Sequence, residues 1–255
     1  MSAVIEARRP GMRSMLIMIV CEAKMTARDT AGLVVPLGLP LLILIMSAQG
    51  AGEQVIVNGR TALDLFVVPL VLVMVIATIG IINMPSFLAY YRRSGILRRL
   101  AVTPASPAMV LVAQVVVSVI QAVLGIALAL TVAGLFFGAN PPVDLGVAIG
   151  VGVLAITAMY SVGMIVAAIA PTPNSAVAIG LIAFFALGAL GGMFGGQDSL
   201  PEPLAVLGGW LPFGAAVDAL SAAWAGVQVE LASVLSLGVS VVVGAVVAGL
   251  LFRWE

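Results

Sequence analysis

The sequence contains no histidine and a single cysteine, Cys21. An internal disulfide is excluded, and so is any metal or acid–base centre built on imidazole. Cys21 is read as a small apolar filler. Charge is scarce too: 11 basic and 11 acidic residues make up 9% of 255, and they cancel. Soluble domains carry about 25% charged residues. Sparse, balanced charge offers no electrostatic footprint for nucleic acid. No G-x-x-x-x-G-K-[ST] loop is present, so nothing in the sequence cradles nucleotide phosphates. A cleavable leader is not expected. The apolar run Met15–Val20 is too short to span, is interrupted by Glu22 and Lys24, and leads to no small-residue cleavage site.

What is abundant is apolar surface. The chain is 62% hydrophobic, with a mean hydropathy of +1.24. A water-soluble fold of this length cannot hide that much, so the chain is an integral membrane protein. The stretches between charges mark its crossings. Residues 30–52, 65–91, 100–143, 145–197 and 231–252 are uncharged. Each holds one helix of about 20 residues, except the fourth, which holds two. There Pro171-Thr172-Pro173-Asn174 breaks the run. Six spans follow, near 31–48, 64–88, 108–137, 145–170, 175–193 and 231–252, in one transmembrane domain over 1–255. The fold class is all-α. The continuous runs lack the ten-residue alternation of a membrane barrel.

The basic residues orient the bundle. With six spans, ten of the eleven lie on one side: before span one, between spans two and three, and after span six. Only Arg60 falls on the other side. This bias places both termini in the cytoplasm. The richness in Arg, Ala, Val and Gly suggests a GC-rich bacterial genome and hence a bacterial plasma membrane, with a multi-pass chain.

Two segments do not fit a plain bundle. Residues 13–30 mix Met15, Leu16, Met18 and Ile19 with Glu22, Lys24, Arg28 and Asp29. They suit an amphipathic helix in the interface, or else a solvated lead-in to span one. Residues 194–229 are apolar but broken by Gly and Pro. Pro201 and Pro203 suit a helix start, Gly208-Gly209 a stop, and Phe213–Ala225 a second short helix. Neither piece can span alone. Together they read as a re-entrant or surface-lying hairpin on the outer side, or else as a structured outer loop.

The turn after span two reads YYRRSGILRRLAVTPASP, residues 90–107, with Arg92, Arg93, Arg98 and Arg99 among few other charges. Ser94 suits an N-cap. A helix from Gly95 to Ala101 would gather Ile96, Leu97 and Leu100 on one face, and Thr103-Pro104 would end it. Such an apolar ridge fits a groove on a soluble partner. Equally, the arginines could serve only topology and anionic lipid. Within the spans, Thr78, Asn83, Gln114, Ser118 and Gln121 are candidate pathway-lining residues. Gln114, Ser118 and Gln121 share one face of span three. Hydrogen bonding between helices is the competing role and the favoured one. Gly146/Gly150 and Gly188/Gly192 have the spacing of close helix contacts. No Asp, Glu, Lys or Arg sits centrally in a span, which argues against an ion-coupled transporter.

The run Gly95-Ile96-Leu97-Arg98-Arg99-Leu100-Ala101-Val102-Thr103-Pro104 resembles the cytoplasmic signature of type-2 ATP-binding-cassette permeases, including the daunorubicin-resistance-like export subunits. EAKMTARDTAGLVVPLGLPLLILIM resembles that family's interfacial elbow helix entering span one, with Arg28-Asp29 before the apolar run. GGMFGGQDSLPEPLAVLGGWLPFGAAVDAL resembles its outer re-entrant element. The resemblance runs in order along essentially the whole chain. One departure stands out: the family usually carries a glutamate just before the signature glycine, and here none lies between Leu88 and Leu100.

The resemblance implies a permease without catalytic residues or a cofactor of its own. Two ATPase subunits would bind ATP and Mg and dock below. A second permease, identical or sister, would complete the complex, with the substrate path near spans one, two and five. The turn Arg92–Pro104 would be the coupling helix. The expected function is export of an amphiphilic or hydrophobic drug, antibiotic, lipid or glycolipid. The alternatives are a secondary transporter or another ATP-independent membrane protein.

Overall fold

The computed structural model describes residues 11–52, 54–96 and 107–251. Helix α1 (Met12–Arg28) is followed after Asp29 by α2 (Thr30–Gly50). Strands β1 (Val55–Val57) and β2 (Arg60–Thr61) form a small antiparallel hairpin. Then come α3 (Leu63–Arg93), α4 (Pro107–Phe137), α5 (Leu145–Ile169) and α6 (Pro173–Leu190). Two shorter helices, α7 (Glu202–Gly209) and α8 (Pro212–Ala225), precede α9 (Leu231–Leu251). Among the described residues, α2, α3, α4, α5, α6 and α9 are the six helices long and apolar enough to cross a membrane. Their bounds lie within a few residues of those expected from the uncharged runs.

Helix α3 is the axis of the bundle. Of its most apolar eighteen-residue window, 89% is buried, against 22–39% for the other five. The outer helices turn Leu124, Leu135, Phe136, Ile182 and Leu250 outward. In lipid such exposure costs nothing, because acyl chains are as apolar as leucine. Contact between helices must then come from close backbone approach. A Cβ on Gly163 of α5 would lie 1.9 Å from the Gly80 carbonyl oxygen of α3, and one on Gly180 of α6 would lie 2.5 Å from that of Ile81. Where α9 crosses α5, a Cβ on Gly244 would lie 2.5 Å from the Ser161 Cβ. The glycine pairs picked out by spacing meet no other helix, whereas Gly191, also expected to pack closely, does: its Cβ position lies 2.9 Å from Gly214 N of α8. Gly150 has open space around its Cβ position, Gly146 meets only Asp144, and Gly188 and Gly192 meet the loop that follows α6. Spacing on one helix does not say which face the neighbour takes.

Two features were not legible in the hydropathy pattern. Helix α3 is wound as π-helix over Leu63–Val67 and again over Thr78–Asn83. The second stretch holds Gly80 and Ile81, the carbonyls that α5 and α6 approach so closely. The β-hairpin turns at Asn58 (φ 48°) and Gly59 (φ 76°). Asn-Gly between Val-Ile-Val and Arg-Thr is the sequence signal of a two-residue hairpin turn, and it could have been read.

Cys21 is exposed on α1 rather than serving as a buried filler. The reason is the way α1 lies. It rests on α4 and turns Glu22 and Thr26 inward, while Leu16, Ile17 and Val20 face outward. A soluble helix would do the reverse; an outward apolar face suits the membrane interface.

Candidate functional site

Helix α2 contains Pro36 and Pro40. Each proline lacks an N–H, so the carbonyls four residues earlier, on Gly32 and Pro36, have no partner in their own helix. At membrane depth an unpaired carbonyl is costly, and neighbouring helices supply the donors. Asn83 Nδ2 of α3 donates to the Gly32 oxygen at 3.0 Å, and Gln121 Nε2 of α4 donates to it at 2.8 Å. Asn83 Nδ2 also reaches Gln121 Oε1 at 3.2 Å. The Thr78 hydroxyl lies 3.4 Å from the Pro36 oxygen while bonding Met74 O and Val75 O in its own helix. Three of the five candidate pathway residues, Thr78, Asn83 and Gln121, therefore bind α2, α3 and α4 to one another. The other two, Gln114 and Ser118, are also buried.

A cavity of 130 Å³ adjoins this knot, lined by Asp29, Gly32, Thr78, Asn83 and Val177. On the same α2–α3 side, at the other end of the bundle, a larger cavity of 500 Å³ is lined by Ser47, Phe66, Leu70, Gly192, Gln197 and Asp218. Gln197 Nε2 donates to the Asp218 carboxylate at 3.1 and 3.3 Å across its rim.

The end that carries the arginines is organised by α1. The Tyr91 hydroxyl of α3 donates to Glu22 Oε2 of α1, with Met25 Sδ 3.7 Å away. Burial pushes the Glu22 carboxyl above the ordinary carboxylate range, and the Tyr91 hydroxyl pulls it the other way. Phe87, Tyr91 and Val110 form a small core, closed by Met18, Met25 and Ile96. Glu22 thus brings a carboxylate to the end of α3, against Tyr91.

Arg92 has a structural partner. Its Nη1 donates to Ala167 O at 3.3 Å, and its Nη2 donates to Ala170 O. Pro171 cannot donate to the Ala167 carbonyl, so Arg92 replaces that missing bond at the end of α5. The helix that Ser94 is expected to cap lies outside the described residues, and Ser94 itself ends α3. Its backbone N–H closes α3 onto Tyr90 O at 2.9 Å, and its hydroxyl donates to Tyr91 O at 3.2 Å. Gly95 takes φ +68° and allows the chain to leave the helix there. Ile96, expected on an outward ridge, is half-buried against the core of Phe87, Tyr91 and Val110. Arg93 is exposed at the end of α3. Leu97, Arg98, Arg99, Leu100, Thr103 and Pro104 lie outside the described residues. Of the α1 residues singled out, Lys24 and Arg28 are exposed, while Asp29 brings its Oδ2 within 2.6 Å of the Gly32 Cβ position.

At the opposite end, α7 and α8 form a hairpin bent by 78°, close to the expected bounds. Phe213 of α8 packs edge-on against Phe184 of α6, with ring centroids 6.2 Å apart. The last four carbonyls of α8 would be orphans in an isolated helix. Here all four are paired. Gly226 N and Val227 N reach Ala222 O, Asp144 N reaches Ala223 O, Val143 N reaches Trp224 O, and Asn58 Nδ2 reaches Ala225 O. The β-hairpin exists to make the last of these bonds and to deliver Thr61. Asp64 gathers the rest: Thr61 N at 3.0 Å, the Thr61 hydroxyl at 3.2 Å, Asn140 N at 2.7 Å and Asn140 Nδ2 at 3.1 Å. The Trp224 indole donates to Asn140 O at 3.1 Å. Asp64 is fully buried. Its role needed the folded loops to become visible.

Among curated proteins, none matches the chain. A family model described as ABC-2 type transporter matches residues 13–224, which takes in α1, the first five spans α2–α6, and the α7–α8 hairpin. An all-α membrane bundle entered through a short N-terminal helix, held together by backbone contacts and by polar groups without any central charge, is the membrane part of such a transporter. The chain belongs to the ABC-2 type transporter family, as a multi-pass membrane permease.

Proposed function

We propose that this chain is one half of an exporter driven by separate ATPase subunits, with both termini and the arginine-rich turn in the cytoplasm. The carrying observation is the α2–α3–α6 side. Helix α3 is covered by the other helices, yet α2 and α6 leave Val34, Val35, Leu42, Met46, Ile182 and Phe185 outward. The 130 and 500 Å³ cavities open along α2 and α3 at the two ends of the bundle. Two copies joined along this side, or one copy and a sister permease, enclose a path of mild polarity without fixed central charge. Such a path suits an amphiphilic or hydrophobic cargo better than a small ion.

In this reading α1 is the interfacial elbow, and the turn after α3 is the coupling helix that two ATPases push. The docking ridge is carried by Leu97 and Leu100, since Ile96 is taken up by the Phe87, Tyr91 and Val110 core. Force applied there reaches α3 directly and α1 through the Tyr91–Glu22 contact. Packed helices respond by shifting between discrete arrangements. The α7–α8 hairpin, with every carbonyl at its inner end paired to protein, is the outer re-entrant element.

The test is co-expression with an ATP-binding-cassette ATPase subunit that co-purifies with the chain. Leu97→Asp or Leu100→Asp should leave the permease inserted but lower substrate-stimulated ATP hydrolysis and export at least about ten-fold, the effect of about 1.4 kcal/mol of lost coupling. Wild-type export in both variants would refute the coupling role. Proton-driven transport by the purified chain alone, indifferent to ATP, would refute the exporter reading.

A further inference from the structure

Helix α3 is π-wound twice, and each π turn runs into a proline. Leu63–Val67 leads to Pro69, and Thr78–Asn83 leads to Pro85. A proline ring crowds the carbonyl four residues earlier, and a wider turn makes room for it. The widening strands carbonyls. Met84 N–H reaches back to Ile79 O, one residue further than in an α-helix. Gly80 O is then left to Pro85, which has no N–H, and Ile81 O loses its ordinary partner to the same proline. In the first turn Val68 N–H likewise reaches back to Leu63 O, and Leu65 O loses its partner to Pro69.

The two turns are held differently. At the first, the Ser221 hydroxyl of α8 donates to Leu65 O at 2.5 Å. Asp64, in the same turn, is tied to Thr61 and Asn140. At the second, the backbone of Gly163 in α5 faces Gly80 O, and that of Gly180 in α6 faces Ile81 O. A Cα–H is a much weaker donor than a hydroxyl or an N–H. Two glycines also offer no side chain to interlock with α3. A cavity of 130 Å³ borders the same turn at Thr78, Ile82, Asn83 and Ser86. Across it, α2 is interrupted at the same level by Pro36 and is tied to α3 through Asn83. Beyond the turn, Arg92 fastens the end of α3 to Ala167 O and Ala170 O at the end of α5.

We propose that Thr78–Pro85 is a hinge and Arg92 its latch. The arginine end of α3, Met84–Arg93, swings on Gly163 and Gly180 when Arg92 lets go of α5, and α2 bends with it near Pro36. The outer end of α3 stays fixed by Ser221 and Asp64. Sharp helix bends occur at prolines and π turns, and here both coincide. The swinging piece is 10 residues long, about 15 Å at 1.5 Å per residue. A bend of about 20° moves its far end by about 5 Å. The hinge belongs to this chain by itself and does not rest on the exporter reading. In that reading it is where a push on the turn after α3 becomes a bend.

The test reads distances between paired nitroxide labels on the full chain in lipid nanodiscs, in a Cys21→Ala background. Unlabelled chain is added in excess, so that only distances within one chain count. One pair, Tyr90→Cys with Leu250→Cys, joins the swinging end of α3 to the last turn of α9, which is held to α5 where Gly244 meets Ser161. The other, Phe66→Cys with Leu231→Cys, joins the two outer ends. All four positions are exposed. Arg92→Met should add a second population to the first pair, displaced by about 3–5 Å, and leave the second pair unchanged. Arg92→Lys, with one donor group in place of two, should add less of it. Pro85→Ala restores an N–H and lets the turn close as α-helix; it should remove that population, and Pro69→Ala should not. Should Arg92→Met fail to insert, the same readings on Arg92→Lys decide. Distances identical to wild type in the Arg92 variant overturn the proposal. So does a second population that survives Pro85→Ala, or one that vanishes equally in Pro69→Ala, since the bend would then lie elsewhere.

Discussion

Asn83 donates its side-chain amide to the Gly32 carbonyl at 3.0 Å, and that carbonyl is free because Pro36 has no N–H to offer it. The bond and the proline form a pair. Removing Asn83 leaves the carbonyl to Gln121 alone; restoring an N–H at position 36 lessens the need for Asn83. Asn83→Ala should therefore destabilise the protein by about 0.6–1.7 kcal/mol, and by less in a Pro36→Ala background. A double-mutant cycle on thermal unfolding in detergent measures the coupling. Additive effects would show that the two residues act separately.

Arg92 replaces the bond that Pro171 denies to the end of α5. Arg92→Met keeps the apolar stem and removes the donors. It should cost about 1.5–3 kcal/mol, the range for a hydrogen bond to a charged group. Amide exchange should rise first in the last turn of α5. A variant that loses ATPase binding with that turn unchanged would show that Arg92 serves the partner instead.

Asp64 accepts from four donors on two loops. Asp64→Asn places an amide against groups that are themselves donors. The expected loss is about 1–3 kcal/mol per group left unpaired, and single cysteines placed in the β-hairpin or in the loop at Asn140, in a Cys21→Ala background, should become more reactive to a thiol label. An unlabelled, fully stable Asp64→Asn protein would contradict this.

Glu22 gives the docking of α1 a pH dependence. Its folded-state value lies above the ordinary one, so the folded form holds its proton more tightly than the unfolded form. The contribution is therefore fully present below the unfolded value and is lost as the pH rises through the folded value. Docking of α1 should weaken from acid towards neutral pH. Glu22→Gln should remove that slope and raise the thermal midpoint at neutral pH relative to wild type. Midpoints measured across pH for both proteins decide the point; parallel curves would refute it.

The approach of Gly163 and Gly180 to α3 illustrates what the sequence could and could not disclose. The uncharged runs predicted all six spans to within a few residues, because a charge in hydrocarbon is so costly that spans end where charges begin. Pro201, Pro203 and Gly208-Gly209 likewise marked α7, since proline and glycine act through the backbone they occupy. The glycine pairs chosen by spacing were the wrong ones. The spanning helices here are apolar around most of their circumference, so periodicity carries little record of which face meets a neighbour.

The candidate site divides along the same line. That Thr78, Asn83 and Gln121 would be interior was readable from their place in the spans. That they answer carbonyls freed by Pro36 and Pro40 depends on three helices meeting at one level. That Ile96 packs on Phe87, Tyr91 and Val110, and that Asp64 is closed over by two loops, became visible only in the folded chain.

Composition, charge placement and proline positions thus determined by themselves that this chain is a six-span membrane bundle with most of its basic residues at one end. Those properties are set by transfer of each segment from water to lipid, which is local. Only the tertiary structure decided which polar atoms are shared, which glycines touch and which remain unpaired. Those outcomes depend on pairs of atoms far apart in the chain, and in lipid no hydrophobic stripe records in advance which pairs will meet.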